Sequence, residues 1–149
     1  MKAFQVTNGD LVLSNGSFAT VEGPEKIVQD LGIASATEYG TDRFHPRYGS
    51  VLSNYIGQPI SDSTNMLVKS EMTRIINNYR AIQLSNANGY ITKGLQAPYS
   101  QDEMVQSILN ISVQQNYDTL GVTVALSTQS GKEVAVSSSV SPNSSTMGN

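Results

Sequence analysis

The chain predicts an α+β domain in which a small antiparallel sheet, an N-terminal hairpin plus a C-terminal β-ribbon, packs with one short and one long helix. Three observations carry this. Apolar residues recur at helical spacing over residues 62–84. After Pro98 the period falls to two, as in half-buried strands. Two Asn-Gly pairs near the N-terminus, Asn8-Gly9 and Asn15-Gly16, mark tight turns, because Asn and Gly accept positive φ.

The second Asn-Gly pair lies between short apolar runs and predicts a hairpin of Leu11 to Leu13 against Phe18 to Val21. Next, "EGPEKIVQDLGIASA" opens a short helix: Gly23 as cap, Pro24 pre-set for the first helical position, and Glu25 favourable to the helix dipole. Ile27, Val28, Leu31 and Ala34 would form its apolar stripe. From Thr37 to Pro59 the chain is irregular, interrupted by Gly40, Pro46, Gly49, Gly57 and Pro59, with one or two helical turns in "SVLSNYI".

Val68, Met72, Ile75, Ile76, Tyr79 and Ile82 then define one face of a long helix, with Lys69, Arg74, Asn77, Asn78 and Arg80 mostly opposite. Gly89 and Gly94 bracket a short connecting piece. Val105, Leu109, Ile111 and Val113 form a first ribbon strand, and Leu120, Val122, Val124 and Leu126 a second. Val134 and Val136 suggest a shorter third. The domain would span residues 1–136, followed by a flexible polar tail over 137–149, and no internal repeat stands out.

Composition narrows the function. A net charge of −3, with no two basic residues adjacent, lacks the footprint of a nucleic-acid binder. Without cysteine there is no disulfide, thiolate metal site or cysteine nucleophile, and one histidine makes a His-based zinc site implausible. No apolar run approaches the roughly 20 residues of a membrane span. No metal, cofactor, nucleic-acid or membrane partner is expected, and synthesis in a cytoplasm is.

The stretch "DRFHPRYGS", residues 42–50, holds that histidine. His45 oriented by Asp42 and acting on Ser50 would be a nucleophilic site, but proximity in sequence does not supply triad geometry. A carboxylate pair drawn from Glu22, Glu25 and Glu38 with Asp30 or Asp42 would suit glycoside hydrolysis. None of these sits in an apolar setting that would raise a pKa, so no catalytic residue is expected. Arg43 and Arg47 flank a rigid Pro46, with Phe44 and Tyr48 alongside, and these are residue types that dominate interfaces. Two readings of the stretch stay open. It is a docking surface, or an internal staple in which Arg47 pairs within its own domain and Tyr48 fills the core.

The hairpin with "NG", the helix carrying "IVQDL", the loop "HPRYGS" followed by "VLSNYIG", the long helix carrying "EMTRIINNY" and the final ribbon together resemble the sheath-initiator family of contractile phage tails. The family is also known as lysozyme-like baseplate wedge proteins and is related to a type VI secretion baseplate subunit. The resemblance covers about Asp10 to Val136. It implies a structural, non-enzymatic baseplate component of a virion tail, present in several copies in a symmetric assembly. The loop residues Arg43, His45, Pro46, Arg47 and Tyr48 would dock on wedge proteins, with His45 where the family usually has an acidic residue. The ribbon residues Leu120, Val122, Val124, Leu126, Val134 and Val136 would pair with strands of the tail sheath protein and template its polymerisation, with the tail tube as a further neighbour. An open ribbon edge suits such strand addition. The rival readings are a cell-wall (peptidoglycan) hydrolase and a generic assembly adaptor.

Overall fold

The computed structural model describes residues 1–59 and 61–140. Its elements are the short strands β1 (Ala3–Phe4), β2 (Val6–Thr7), β3 (Asp10–Leu11), β4 (Leu13–Ser14), β5 (Ser17–Phe18) and β6 (Thr20–Val21), helix α1 (Pro24–Ala36), a 3-10 turn (Leu52–Tyr55), helix α2 (Asp62–Thr92), and strands β7 (Val105–Gln115), β8 (Leu120–Thr128) and β9 (Glu133–Val140). The α+β expectation holds, with one short and one long helix against a small antiparallel sheet.

The N-terminal segment is a three-lobed knob instead of the single expected hairpin. β2 pairs β3 around Asn8-Gly9, β4 pairs β5 around Asn15-Gly16, and β1 closes on β6. Leu11 therefore faces Val6, and only Leu13 faces Phe18. Both Asn-Gly pairs have positive φ at both residues, the conformation a two-residue hairpin turn needs. The lobes meet in a closed ring of backbone bonds among three residues spaced seven apart: Gln5 N–H to Ala19 O at 2.8 Å, Val12 N–H to Gln5 O at 3.0 Å, and Ala19 N–H to Val12 O at 2.8 Å. A seven-residue repeat thus exists. Its outer positions Phe4, Leu11 and Phe18 are half-exposed, which masked it as a core pattern.

α1 begins as expected, with Gly23 as cap at φ 66° and Pro24 in the first turn. Ile27, Leu31 and Ala34 are buried, but Val28 is 38% exposed and Ser35 takes the inner position instead. α2 is capped by Ser61, whose side chain accepts from Thr64 N–H at 3.2 Å. It runs past residue 84, through Gly89, to Thr92, and Gly94 at φ 70° is the residue that ends it.

The C-terminal sheet has the order β7-β8-β9. α1 packs against β9 and α2 against β7, so the core lies between the helices and one sheet face. Leu120, Val122, Val124 and Leu126 of β8 and Val134 and Val136 of β9 point into it. Each such buried side chain contributes about 1.5–3 kcal/mol. β7 departs from strict alternation: register shifts between Val105 and Ser107 and between Ile108 and Asn110 insert extra residues. The second turns Leu109 outward, 50% exposed, and brings Ile108 to the inner face opposite Leu126. β9 extends to Val140, so residues 137–140 are strand where tail was expected. The remainder of that tail, 141–149, lies outside the described residues.

Two buried side chains tie the sheet to the rest. Gln83 of α2 donates to Glu103 O at 2.6 Å and accepts from Val105 N–H at 3.1 Å, which fixes where β7 begins. The Glu103 carboxylate accepts from Gly23 N–H at 3.0 Å, Ser100 N–H at 3.2 Å and the Met1 amine at 2.6 Å. It joins the knob to the sheet.

Candidate functional site: the 42–50 loop and the β9 edge

The loop leaves α1 and folds back beside its own start. Ser50 N–H bonds Thr37 O at 2.8 Å, Tyr39 N–H bonds Ser50 O at 3.1 Å and Gly40 N–H bonds Tyr48 O at 3.1 Å. Gly49 makes this approach possible. Its φ is 95°, and a Cβ there would lie 2.7 Å from the Glu38 carbonyl oxygen. At the tip, Asp42 accepts from Phe44 N–H at 2.8 Å and His45 N–H at 3.2 Å, and its other oxygen lies 3.4 Å from His45 Nδ1. These bonds, the Phe44 N–H first, hold the Asp42 carboxyl below its usual range.

α2 clasps the loop through Arg74, a residue the sequence reading set on the polar face. Its Nε and Nη2 bond both oxygens of Glu71, at 2.8 and 2.7 Å. Nη1 donates to Arg47 O at 3.0 Å and Nη2 to Gly49 O at 2.8 Å, while the guanidinium lies 4.7 Å from the centre of the Tyr39 ring. Asn78 adds a bond to Arg47 O at 3.3 Å, and Glu71 also accepts from Val51 N–H at 3.0 Å. Burial pushes Glu71 up, but the Arg74 and Val51 hydrogen bonds outweigh it, so the carboxyl ends below its usual range. The Glu71 contact raises Arg74 in turn.

This arrangement corrects one half of the staple reading. The staple exists, but its side chain is Arg74 and Arg47 contributes only a backbone carbonyl. Arg43 and Arg47 are exposed, and neither side chain has a hydrogen bond or ion pair among the described residues. Tyr48 does pack partly against the core, as the staple reading expected. Phe44 is 90% exposed. Phe44, His45, Pro46 and Arg47 line one side of a shallow cleft of about 280 Å³, with Asn78 and Ile82 of α2 on the other.

Ser50 and His45 share no hydrogen bond among the described residues. Ser50 is buried, with its hydroxyl donating to Ser35 O at 2.6 Å and accepting from Leu52 N–H at 3.3 Å, so it is committed to the fold and not to His45. Asp30 bonds Lys26 and the Tyr79 hydroxyl. The buried carboxylates are Glu71 and Glu103, which the sequence reading missed. Burial raises Glu103 as well, and the Met1 amine and the two backbone N–H donors bring it below its usual range. Neither is poised to give up a proton near neutrality. Among the described residues no three His, Asp or Glu side chains converge as metal ligands, and no helix is long and apolar enough to cross a membrane.

The ribbon residues fall in two positions. β8 is bonded on both sides, so the backbone around Leu120, Val122, Val124 and Leu126 has no free edge and cannot receive another strand. This corrects their assignment as pairing residues. Val134 and Val136 lie on β9, an edge strand, with their side chains inward. β9 carries neither Lys nor Pro. The opposite edge, β7, is bulged twice and held at its end by Gln115 Nε2 on Gln58 O at 2.9 Å. Of the two, β9 is the less guarded.

Two helices packed on one face of a three-stranded antiparallel sheet, with a β-knob before them, define the class of fold. The same fold is seen in the crystal structure of a "putative tail lysozyme" from Geobacter sulfurreducens, with a TM-score of 0.55 over 89% of this chain and 96% of that one, at 12% identity. No protein-family model matches the sequence, and no curated protein does.

Proposed function

We propose that the protein is a structural component of a contractile-tail baseplate, of the sheath-initiator kind. It docks on wedge proteins through the exposed loop tip, Arg43 to Tyr48, and templates the tail sheath protein by strand pairing. The observation that carries the reading is the likeness of nearly the whole chain to a fold found in a protein named "putative tail lysozyme". The geometry supports both contacts: a loop held by backbone hydrogen bonds whose Arg43 and Arg47 side chains have no partner among the described residues, and an edge strand, β9, without Lys or Pro. In this proposal β9, the edge strand, does the pairing and central β8 does not. The protein would be made in the host cytoplasm, sit in several copies around the tail axis and neighbour the tube.

The reading is non-enzymatic. Glu71 and Glu103 are held ionised by full sets of donors, and Ser50 is spent on the fold, so these groups serve structure and not proton transfer.

The test is electron microscopy of particles from cells lacking the gene, with and without complementation. Baseplates without sheath, rescued by the intact gene, are expected, and sheathed tails of normal number without the gene would overturn the proposal. In parallel, peptidoglycan cleavage by the purified chain that is abolished by Glu38→Gln or Glu22→Gln would return the assignment to a hydrolase.

A further inference from the structure

We propose that the partner recognised by the loop is an acidic-apolar segment: one aliphatic side chain seated in the cleft beside Phe44, Pro46 and Ile82, and an adjacent carboxylate held by Arg47 with Arg43. The inference rests on reading the loop as a docking surface and adds the chemistry of what docks.

Charge is the first argument. The chain carries a net charge of −3, yet its loop tip presents two arginines with no carboxylate on either among the described residues. The nearby acids are engaged, Asp42 by Phe44 and His45 and Glu71 by Arg74 and Val51. Arg74 itself is taken up by Glu71 and two carbonyls, which leaves Arg43 and Arg47 as the loop's own available forks among the described residues. An arginine fork matches a carboxylate in two parallel bonds, and paired arginines are a recurrent reader of acidic motifs.

Shape is the second. At about 280 Å³ the cleft falls below the roughly 300–1,000 Å³ of sites that take drug-sized ligands, so it suits one or two side chains and not a cofactor. Its apolar lining is Ile82, Pro46 and Phe44, the last 90% exposed, and Asn78 is a polar member of the same lining. The loop backbone that carries this ring is held at Phe44 N–H, Arg47 O and Gly49 O, which favours a preformed contact.

The test uses the full-length ¹⁵N-labelled chain and two probes, acetyl-leucyl-aspartyl-amide and acetyl-leucyl-asparaginyl-amide, followed by amide shifts. Saturable shifts at Phe44, His45, Arg47, Asn78 and Ile82 are expected with the aspartyl probe. Binding of the asparaginyl probe should be about tenfold weaker or more, the loss of one charge-assisted bond. Arg47→Ala, at unchanged melting temperature, should erase the difference. Salt on the order of 1 M, where the screening length is about 3 Å, should shrink it. Equal binding of both probes, shifts elsewhere, or none up to the solubility limit would overturn the inference. So would self-association of the chain through this face, seen by sedimentation and relieved by Arg47→Ala, because the occupant would then be a second copy. Since the titration needs no tail, a chain that enters tails but ignores the probe sinks this inference alone. A chain that binds the probe but plays no part in tails sinks only the baseplate reading.

Discussion

Arg74 holds the backbone carbonyl of Arg47, 27 residues earlier in the chain, at 3.0 Å. One arginine thus holds the backbone of another whose side chain has no hydrogen bond or ion pair among the described residues.

That division of labour gives the first prediction. Arg74→Ala removes two bonds to loop carbonyls and leaves Glu71 half-paired in a buried site, at a cost of about 2 kcal/mol, as for hydrogen bonds to charged groups. Arg47→Ala should change stability by no more than about 0.5 kcal/mol, as at an uninvolved surface site. Urea unfolding of the two variants measures both. Equal losses would mean that Arg47 is part of the clasp after all.

Gly49 gives the second. With φ at 95° and the Glu38 carbonyl where a Cβ would sit, Gly49→Ala combines backbone strain with a clash against backbone, neither of which a rotamer change relieves. A loss of about 1–3 kcal/mol is expected. Gly57→Ala is the control: its φ is also positive, at 75°, but no atom lies within 4 Å of its Cβ position, so the loss there should be smaller. Equal losses at both sites would show that the close approach at Gly49 contributes nothing.

Much of this layout is legible in the sequence, and the gaps have physical causes. The apolar stripe from Val68 to Tyr79 and the alternation from Leu120 to Leu126 are dictated by burial on one face, so periodicity finds them. Leu109 misleads because a bulge adds a residue and reverses the parity of everything before it. The knob's repeat escapes because its lobes pair only two residues per strand, and Phe4, Leu11 and Phe18 face outward. For the candidate site, the exposed residues Arg43, Phe44 and Arg47 are visible as a cluster of interface types. The clasp is not, since it joins Arg74 and Glu71 to carbonyl and amide groups 20 to 27 residues away, and backbone groups leave no mark in sequence. The edge position of β9 depends on strand order, which alternation alone does not give.

Acid should loosen the molecule at identifiable groups. Glu71 and Glu103 both titrate below their ordinary value of 4.5. A depressed folded pKa means that the stabilisation is complete above the unfolded value and is lost as pH falls through the folded one. Melting temperature should therefore be flat near neutrality and fall steadily below about pH 4.5. Glu71→Gln should be less stable at pH 7 but lose less on acidification. If the variant and the parent lose stability in parallel down to pH 3, Glu71 is not among the responsible groups.

The last prediction concerns β9. In a strand, successive N–H groups point to opposite sides, so along an edge strand every second one bonds the neighbour and the others face outward. Of Ser137 and Ser138, which pair with Thr123 and Val122 of β8, one must donate inward and the other must not. Proline deletes a donor, and it is tolerated on an edge only where the N–H was free. Ser137→Pro and Ser138→Pro should therefore split: one variant loses a ladder bond and melts lower, while its neighbour keeps the fold. Thr123→Pro or Ser127→Pro, in β8 with partners on both sides, should unfold the sheet. The folded β9 variant is the informative one, because it changes only the outward edge. Circular dichroism identifies it, and electron microscopy of sheath growth on baseplates carrying it reads the function. Absence of sheath on otherwise normal baseplates is expected. Full-length sheath on that variant would mean that β9 receives no strand and would overturn the proposed templating by strand pairing.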